Sequence, residues 1–250
     1  MNALAISFIV FAVVFGGAFV GVFLRNALPQ HHLADDAKDV VRLGTGLIGT
    51  IAALVLSLLI SSANGSYGTK SGQVKHVTAD VILLDRILGQ YGSEAHAVRD
   101  LLRRAIDPLV ERIWQENRSR GANRSPFSSG IGEDVFAEIL ALSPKSDVQR
   151  ALKERAITVS SDLAQTRLLL FEHTDDSIPV PFLAVLVFWL AIIFASFSLF
   201  SHLNPTLIAA LFVFALSASG AIFLILELTQ PFAGLLQISN APLRNALAPL

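Results

Sequence analysis

The chain has 250 residues, 53% of them hydrophobic and only 16% charged, with a mean hydropathy of +0.59 and a formal net charge of −1. An ordinary soluble domain carries roughly 25% charged residues, so this composition excludes a soluble enzyme, a fibrous protein and a secreted disulfide scaffold. With no cysteine there is no disulfide, thiolate metal site or cysteine nucleophile, and the near-zero charge implies no bulk attraction to nucleic acid.

The apolar excess is localised. Residues 3–24, 43–63, 180–203 and 205–226 contain no Asp, Glu, Lys or Arg, and all the charge lies in the remainder. A helix of about 20 apolar residues crosses a hydrocarbon core of roughly 30 Å, so the sequence predicts four membrane spans. The first span lacks a basic leading region, is long for a signal peptide and has no small-x-small cleavage site after Leu24. It is read as a retained anchor. The third opens behind Pro179 and Pro181. Asn204–Pro205 turns it into the fourth, so these two should form a helical hairpin.

Four spans place both termini and the loop 64–179 on one side, with 25–42 and the 204–205 turn on the other. That loop reads as helices. Val74, Val77, Val81, Leu84 and Leu88 recur at steps of three and four, an amphipathic stripe, and Gly89 and Gly92 bracket its end. Ser93 is the predicted N-cap of a second helix carrying Leu101, Leu102, Ile106, Leu109, Val110 and Ile113, with a kink at Pro108. Arg118 to Gly132 is a basic, Gly/Ser-rich loop, and Asp134–Leu142 and Asp147–Phe171 are two further helices. No alternating strand pattern and no internal repeat is present, and this part should be a helical bundle continuous with the second and third spans. The predicted divisions are 1–63 (spans one and two), 64–179 (helical region), 180–226 (hairpin) and 227–250 (C-terminal segment).

Chemistry-bearing residues are few. His31–His32 near Asp35 and Asp36, and the i, i+4 pair His76 and Asp80, have residue types that can bind metal; the first pair is adjacent and the second suits a solvated or bundle-facing pair, so no metal site is predicted. His173, Asp175 and Asp176 read as a helix terminus and turn. Arg118, Arg120 and Arg124 can touch anionic lipid head groups or remain in a solvated loop. No phosphate-binding glycine loop, nucleophile elbow or zinc-protease motif occurs. The spans hold no Asp, Glu, Lys or Arg, and their one histidine, His202, sits at the very end of the third, which argues against an ion-coupled transporter. No catalytic residue and no cofactor is predicted, and the chain is read as no enzyme.

The second span carries one sharper pattern. Gly46, Thr50, Ala53, Ser57, Ser61 and Asn64 fall at steps of four or three, a stripe of small and weakly polar side chains on one helical face. Small stripes let membrane helices pack closely. They also line water-filled pores when an oligomer turns that face to its axis. The residues alone leave both readings open.

Four segments carry a likeness to a known group: Ala53–Tyr67 (ALVLSLLISSANGSY), Leu83–Gly92 (LLDRILGQYG), Phe188–Pro205 (FWLAIIFASFSLFSHLNP) and Glu227–Leu247 (ELTQPFAGLLQISNAPLRNAL). The chain resembles a bacterial family of bestrophin-like membrane proteins of unknown function. It is more distantly similar to bestrophins, pentameric channels with four spans per subunit, cytoplasmic termini and a helical cytoplasmic region. Asn64 and Tyr67 fit the bestrophin N-x-x-Y. Glu227, Pro231, Phe232, Gly234, Pro242 and Leu243 fit E-x-x-x-P-F-G followed by P-L, with one residue inserted before the glycine. Ser61 and Ser62 replace a Phe and an Arg of the first motif, and its W-W-E and the calcium-clasping acidic run are absent, so calcium gating is not implied.

The resemblance implies an all-α membrane protein and a cyclic homo-oligomer, a pentamer favoured. It implies an ion channel of the bacterial inner membrane whose pore is lined by the second span. It puts Ala53, Ser57 and Ser61 where bestrophins carry bulky apolar side chains that narrow the pore neck. Small anions are the favoured cargo. Leu47, Leu54 and Leu58 flank the stripe and are the possible gate. Copies of itself, membrane lipid and small inorganic ions are the implied partners. On the resemblance, and against the charge of the short segment 25–42, the large loop and both termini are assigned to the cytoplasm. The alternative is a non-conducting scaffold that binds a partner through the cytoplasmic helices.

Overall fold

A computed structural model describes residues 3–29, 35–116, 131–172, 180–201 and 204–247, and all their regular structure is helical. In chain order the helices are α1 (Ala3–Ala27), α2 (Asp35–Tyr91), α3 (His96–Glu116), α4 (Ile131–Ala141), α5 (Asp147–Glu172), α6 (Val180–Phe200), α7 (Pro205–Leu228) and α8 (Ala241–Arg244). Four are long and apolar enough to cross a membrane: α1, α2, α6 and α7. His31–His32, the arginines 118, 120 and 124, and His173, Asp175 and Asp176 lie outside the described residues.

The chain divides into two compact units, one of residues 1–66 and 177–229 and one of 67–176 and 230–250. In the first, α1 packs along both α6 and α7. Val10, Val14 and Ala18 of α1 are buried with Leu186 and Phe194 of α6 and Leu211, Ala215 and Ile222 of α7. The approach of α1 to α6 requires glycine. A Cβ on Gly17 would sit 2.6 Å from the Ala191 carbonyl oxygen, and one on Gly21 would overlap that of Ala195. This is the small-residue packing expected where lipid offers no hydrophobic drive between helices. At the end of α1 the Arg25 guanidinium donates to the Ser201 carbonyl beyond α6.

Helix α2 joins the second span to the helical region without a break, as expected, and also takes in residues 35–42 of the segment between the first two spans. It runs unbroken for 57 residues from Asp35, through the charge-free stretch 43–63, to Tyr91. At 1.5 Å per residue that is about 85 Å, far beyond a hydrocarbon core of roughly 30 Å. The charge-free stretch 43–63 alone has spanning length, and the charged residues Lys70, Lys75, Asp80 and Asp85 follow it along the same helix. It ends where Gly92 adopts φ 120°, a conformation side-chain-bearing residues rarely adopt.

In the second unit the expected valine–leucine stripe of α2 is buried along its length. Val74, Val77 and Val81 meet Ile106, Val110, Ile113 and Trp114 of α3, Leu170 of α5 and Phe232, Ile238 and Leu243 of the C-terminal segment. Leu84, Ile87, Leu88 and Tyr91 meet Val98 and Leu102 of α3, Val135 and Ile139 of α4 and Ala156 and Val159 of α5. Ser93 is not an N-cap: Ser93–Ala95 form a 3₁₀ turn leading into α3, closed by the Ala95 amide donating to the Gly92 carbonyl at 3.2 Å. Pro108 lies inside α3, whose helical assignment continues through it. Helix ends here are capped by side chains from neighbours. Lys153 Nζ donates to the Leu140 and Leu142 carbonyls at the end of α4, at 2.7 and 2.8 Å, and Gln149 Nε2 donates to the Tyr91 carbonyl at 3.0 Å. These are the carbonyls a helix C-terminus leaves without partners.

Candidate functional site: the exposed face of the second span

The spanning part of α2 has two unlike sides. Ala52 and Ala63 are buried, and Ala52 belongs to the core formed with α1, α6 and α7. The other side is open. Gly46, Thr50, Ala53, Ser57, Ser61 and Asn64 are all exposed within the single chain. A carbon added at Gly46 would meet no atom within 4 Å. The chain's own described helices leave the stripe uncovered.

Two of the hydroxyls are held by their own helix. Thr50 Oγ1 donates to the Gly46 carbonyl at 3.0 Å, and Ser57 Oγ to the Ala53 carbonyl at 2.9 Å. Their oxygens retain lone pairs for outward contacts, and a hydroxyl is free to rotate its proton outward. The face is uncharged and small: two hydroxyls with committed protons, a third at Ser61, a glycine, an alanine and one amide.

Leu47, Leu54 and Leu58 are also exposed, at 65%, 67% and 68%. At 3.6 residues per turn they lie roughly a quarter-turn around the helix from the stripe. The same open side thus carries two adjacent surfaces, one small and weakly polar and one of branched apolar side chains.

The motif residues at the far ends of the sequence take defined positions. In the first unit Glu227 is buried in the last turn of α7. In the second, Tyr67 packs on the edge of the valine cluster. Pro231 and Phe232 are buried where the chain leaves the helix, and the turn closes with the Ile238 amide donating to the Pro231 carbonyl at 2.7 Å. Gly234 has φ 91°, which explains a glycine in that motif. Phe232 stands edge-on to Trp114, ring centroids 5.4 Å apart, and the Trp114 indole donates to the Ile238 carbonyl at 3.0 Å. The C-terminal segment is therefore locked to α3 by one aromatic pair and one buried hydrogen bond.

A family model described as the Bestrophin-like domain matches residues 12–243. The chain belongs to the bestrophin-like family. That match runs from α1 to the buried Leu243 of α8 and so takes in both units, the stripe and the P-F turn. No curated protein and no solved structure matches the chain in the corresponding comparisons. Family membership and four candidate spans make it a membrane protein.

The residues alone did not single out an ion-pair cluster in the second unit. Asp85 of α2 is buried and takes Arg99 of α3 in a two-pronged contact, Nε to Oδ1 at 3.0 Å and Nη2 to Oδ2 at 2.8 Å, with Arg103 Nε at 3.6 Å. The Arg99 hydrogen bonds hold the Asp85 carboxyl below its usual range, and burial opposes them. The sequence signal was a lone carboxylate beside the buried Leu84 and Leu88. His76 and Asp80 do share a face, but they belong to a wider group. Burial raises the Asp80 pKa, His76 lowers it, Asp162 raises it and Arg155 lowers it. Among the described residues no group of three or more His, Cys, Asp or Glu side chains is placed to hold a metal ion.

Proposed function

We propose that the protein is a homo-oligomeric ion channel that conducts passively, each subunit turning the small face of α2 toward a common axis. The carrying observation is the stripe Gly46–Asn64, uncharged, small and uncovered by the described residues of the chain. Membership of a family named for bestrophins supports a channel over other uses of such a face. A pore needs several copies, because one helix encloses nothing, and a pentamer follows the family likeness.

In this reading water fills the space between the stripes, and hydroxyls and the Asn64 amide replace part of an ion's hydration shell. Small anions are the favoured cargo by family likeness. To serve them, Thr50 and Ser57 turn their protons away from the Gly46 and Ala53 carbonyls, a rotation about one bond. Gating brings Leu47, Leu54 and Leu58, which flank the stripe, toward the axis, where a ring of branched side chains expels water. The second unit and the termini lie in the cytoplasm of a bacterial cell, with the spans in its inner membrane.

The test is flux through purified protein in liposomes, read together with oligomer order by mass photometry. Wild type conducts as an oligomer. Ser57→Phe fills the axis with an aromatic ring, so conduction falls sharply while the oligomer survives. If Ser57→Phe instead prevents assembly, the stripe is a packing surface and the proposal fails. No flux from a well-formed wild-type oligomer points to a scaffold.

A further inference from the structure

The second unit contains a cavity of about 550 Å³ lined by residues of α2, α3, α4 and α5. Its volume lies within the range of small-molecule sites. Val81, Leu84, Leu102, Ile106 and Val135 are buried in its wall, and more exposed apolar groups continue the lining outward. Ser160 belongs to the same wall, and its buried hydroxyl has no hydrogen-bond partner among the described residues. Four helices thus wall a half-open cleft that their own described side chains leave unfilled.

The ionic lining is arranged differently. Arg112 of α3 and Arg167 of α5 are half-exposed, and Glu133 of α4 is exposed. Two guanidiniums against one carboxylate leave this lining net positive. Both arginines already take part in other interactions of the chain. A guanidinium carries five N–H donors, so an added anion can share it. Its planar fork matches the two oxygens of a carboxylate.

We infer that this cavity binds a single-chain anionic amphiphile, a free fatty-acid-type carboxylate. Its hydrocarbon tail lies among Leu84, Leu102, Ile106 and Val135, and its carboxylate lies on Arg112 and Arg167. The volume suits one acyl chain. The site stands apart from conduction: it lies wholly in the second unit and needs no pore.

The test uses the full chain in lipid nanodiscs with dodecanoate as the probe. Because the chain has no cysteine, Ala164→Cys places a single thiol in the cavity lining, with Leu168→Cys as a second position. Val148→Cys, exposed on α5 outside the lining, is the control. Dodecanoate at about ten times its Kd should slow maleimide alkylation of the cavity thiols about tenfold and leave the control unchanged. Combining Arg112→Gln with Arg167→Gln should raise the half-protecting concentration about tenfold or more. Dodecanol should protect the parent no better than dodecanoate protects this double variant. Absence of protection at both cavity thiols overturns the inference. Equal protection by dodecanol and dodecanoate, or no effect of the arginine changes, overturns the carboxylate assignment. Cavity thiols that stay unreactive in nanodiscs but react after transfer to lipid-free amphipol identify a membrane-lipid chain as the occupant and overturn the free acid. Thiols unreactive in both media show the space closed by the chain itself, which overturns the site.

Discussion

Phe232→Ala removes the side chain that seats the C-terminal segment. Phe232 is 2% exposed and shares its cluster with Val74 and Val77 of α2, Val110 and Ile113 of α3 and Leu170 of α5, with Trp114 edge-on at 5.4 Å. Truncating a buried phenylalanine costs about 3–5 kcal/mol, the spread reflecting how far the site collapses. The unit concerned comprises residues 67–176 and 230–250. At about 4 °C per kcal/mol for a unit of this size, the apparent melting midpoint should fall by roughly 12–20 °C. Phe232→Leu keeps most of the apolar volume and loses the ring pair, so its loss should be about 1–2 kcal/mol. The assay is thermal unfolding of the purified protein in a Trp189→Phe background, which leaves Trp114 as the only tryptophan. Its emission reports the contact directly and should shift to the red in Phe232→Ala as water reaches the indole. A midpoint within about 2 °C of the parent, well inside the shift expected from even one lost kcal/mol, with unchanged emission, would refute the packing described for Phe232.

Other consequences follow from the same geometry. Gly21→Ala puts a methyl group into the Ala195 backbone and should destabilise the α1–α6 contact by about 1–3 kcal/mol, whereas Gly16→Ala meets open space and should be neutral or stabilising; equal recovery and melting of the two variants would contradict the close approach. Asp85→Asn should cost about 1.5–3 kcal/mol at neutral pH by removing charge-assisted hydrogen bonds. Because Arg99 lowers the folded-state pKa of Asp85, its contribution is full above the unfolded value of about 3.9 and is lost as pH falls through the folded value; melting of Asp85→Asn should therefore lose less on acidification below about pH 4 than the parent, and parallel acid profiles would dismiss the clamp. Val148→Cys, 70% exposed, should resist a membrane-impermeant maleimide in intact cells and react after lysis; labelling in intact cells reverses the proposed orientation.

Much of this architecture is legible in the residues because the governing physics is local or periodic. Four charge-free stretches of spanning length need no tertiary information, and the Val74–Leu88 stripe states which face of α2 is buried. The continuity of the second span with the helical region was expected, but the full extent of α2 was harder to read. Gly65, Gly68 and Gly72 each disfavour a helix by about 1 kcal/mol relative to alanine, yet no proline interrupts them and the buried valines that follow hold the helix in place. Asp35–Arg42 reads as a connecting segment because it is polar, but nothing in it forbids helix. The Asp85–Arg99 pair and the cavity were illegible for another reason: each depends on where α2, α3, α4 and α5 come to rest against one another. The stripe falls between these cases. Its spacing fixes a single face, and only three-dimensional placement reveals that the described helices leave that face open.

The measurement that bears most directly on the proposed pore is the ion preference of Ser57→Asp in planar bilayers, taken from reversal potentials under a salt gradient alongside oligomer order. On a wet axis the carboxylates are solvated, the oligomer assembles normally, and the ring of negative charge shifts permeability from anions toward cations. Between packed helices the same change buries an unpaired charge in the membrane, which is strongly unfavourable and should block assembly. A normal oligomer with a cation-shifted reversal potential is the predicted result; a normal oligomer with unchanged ion preference, or the loss of assembly, would contradict a pore lined by this face of α2.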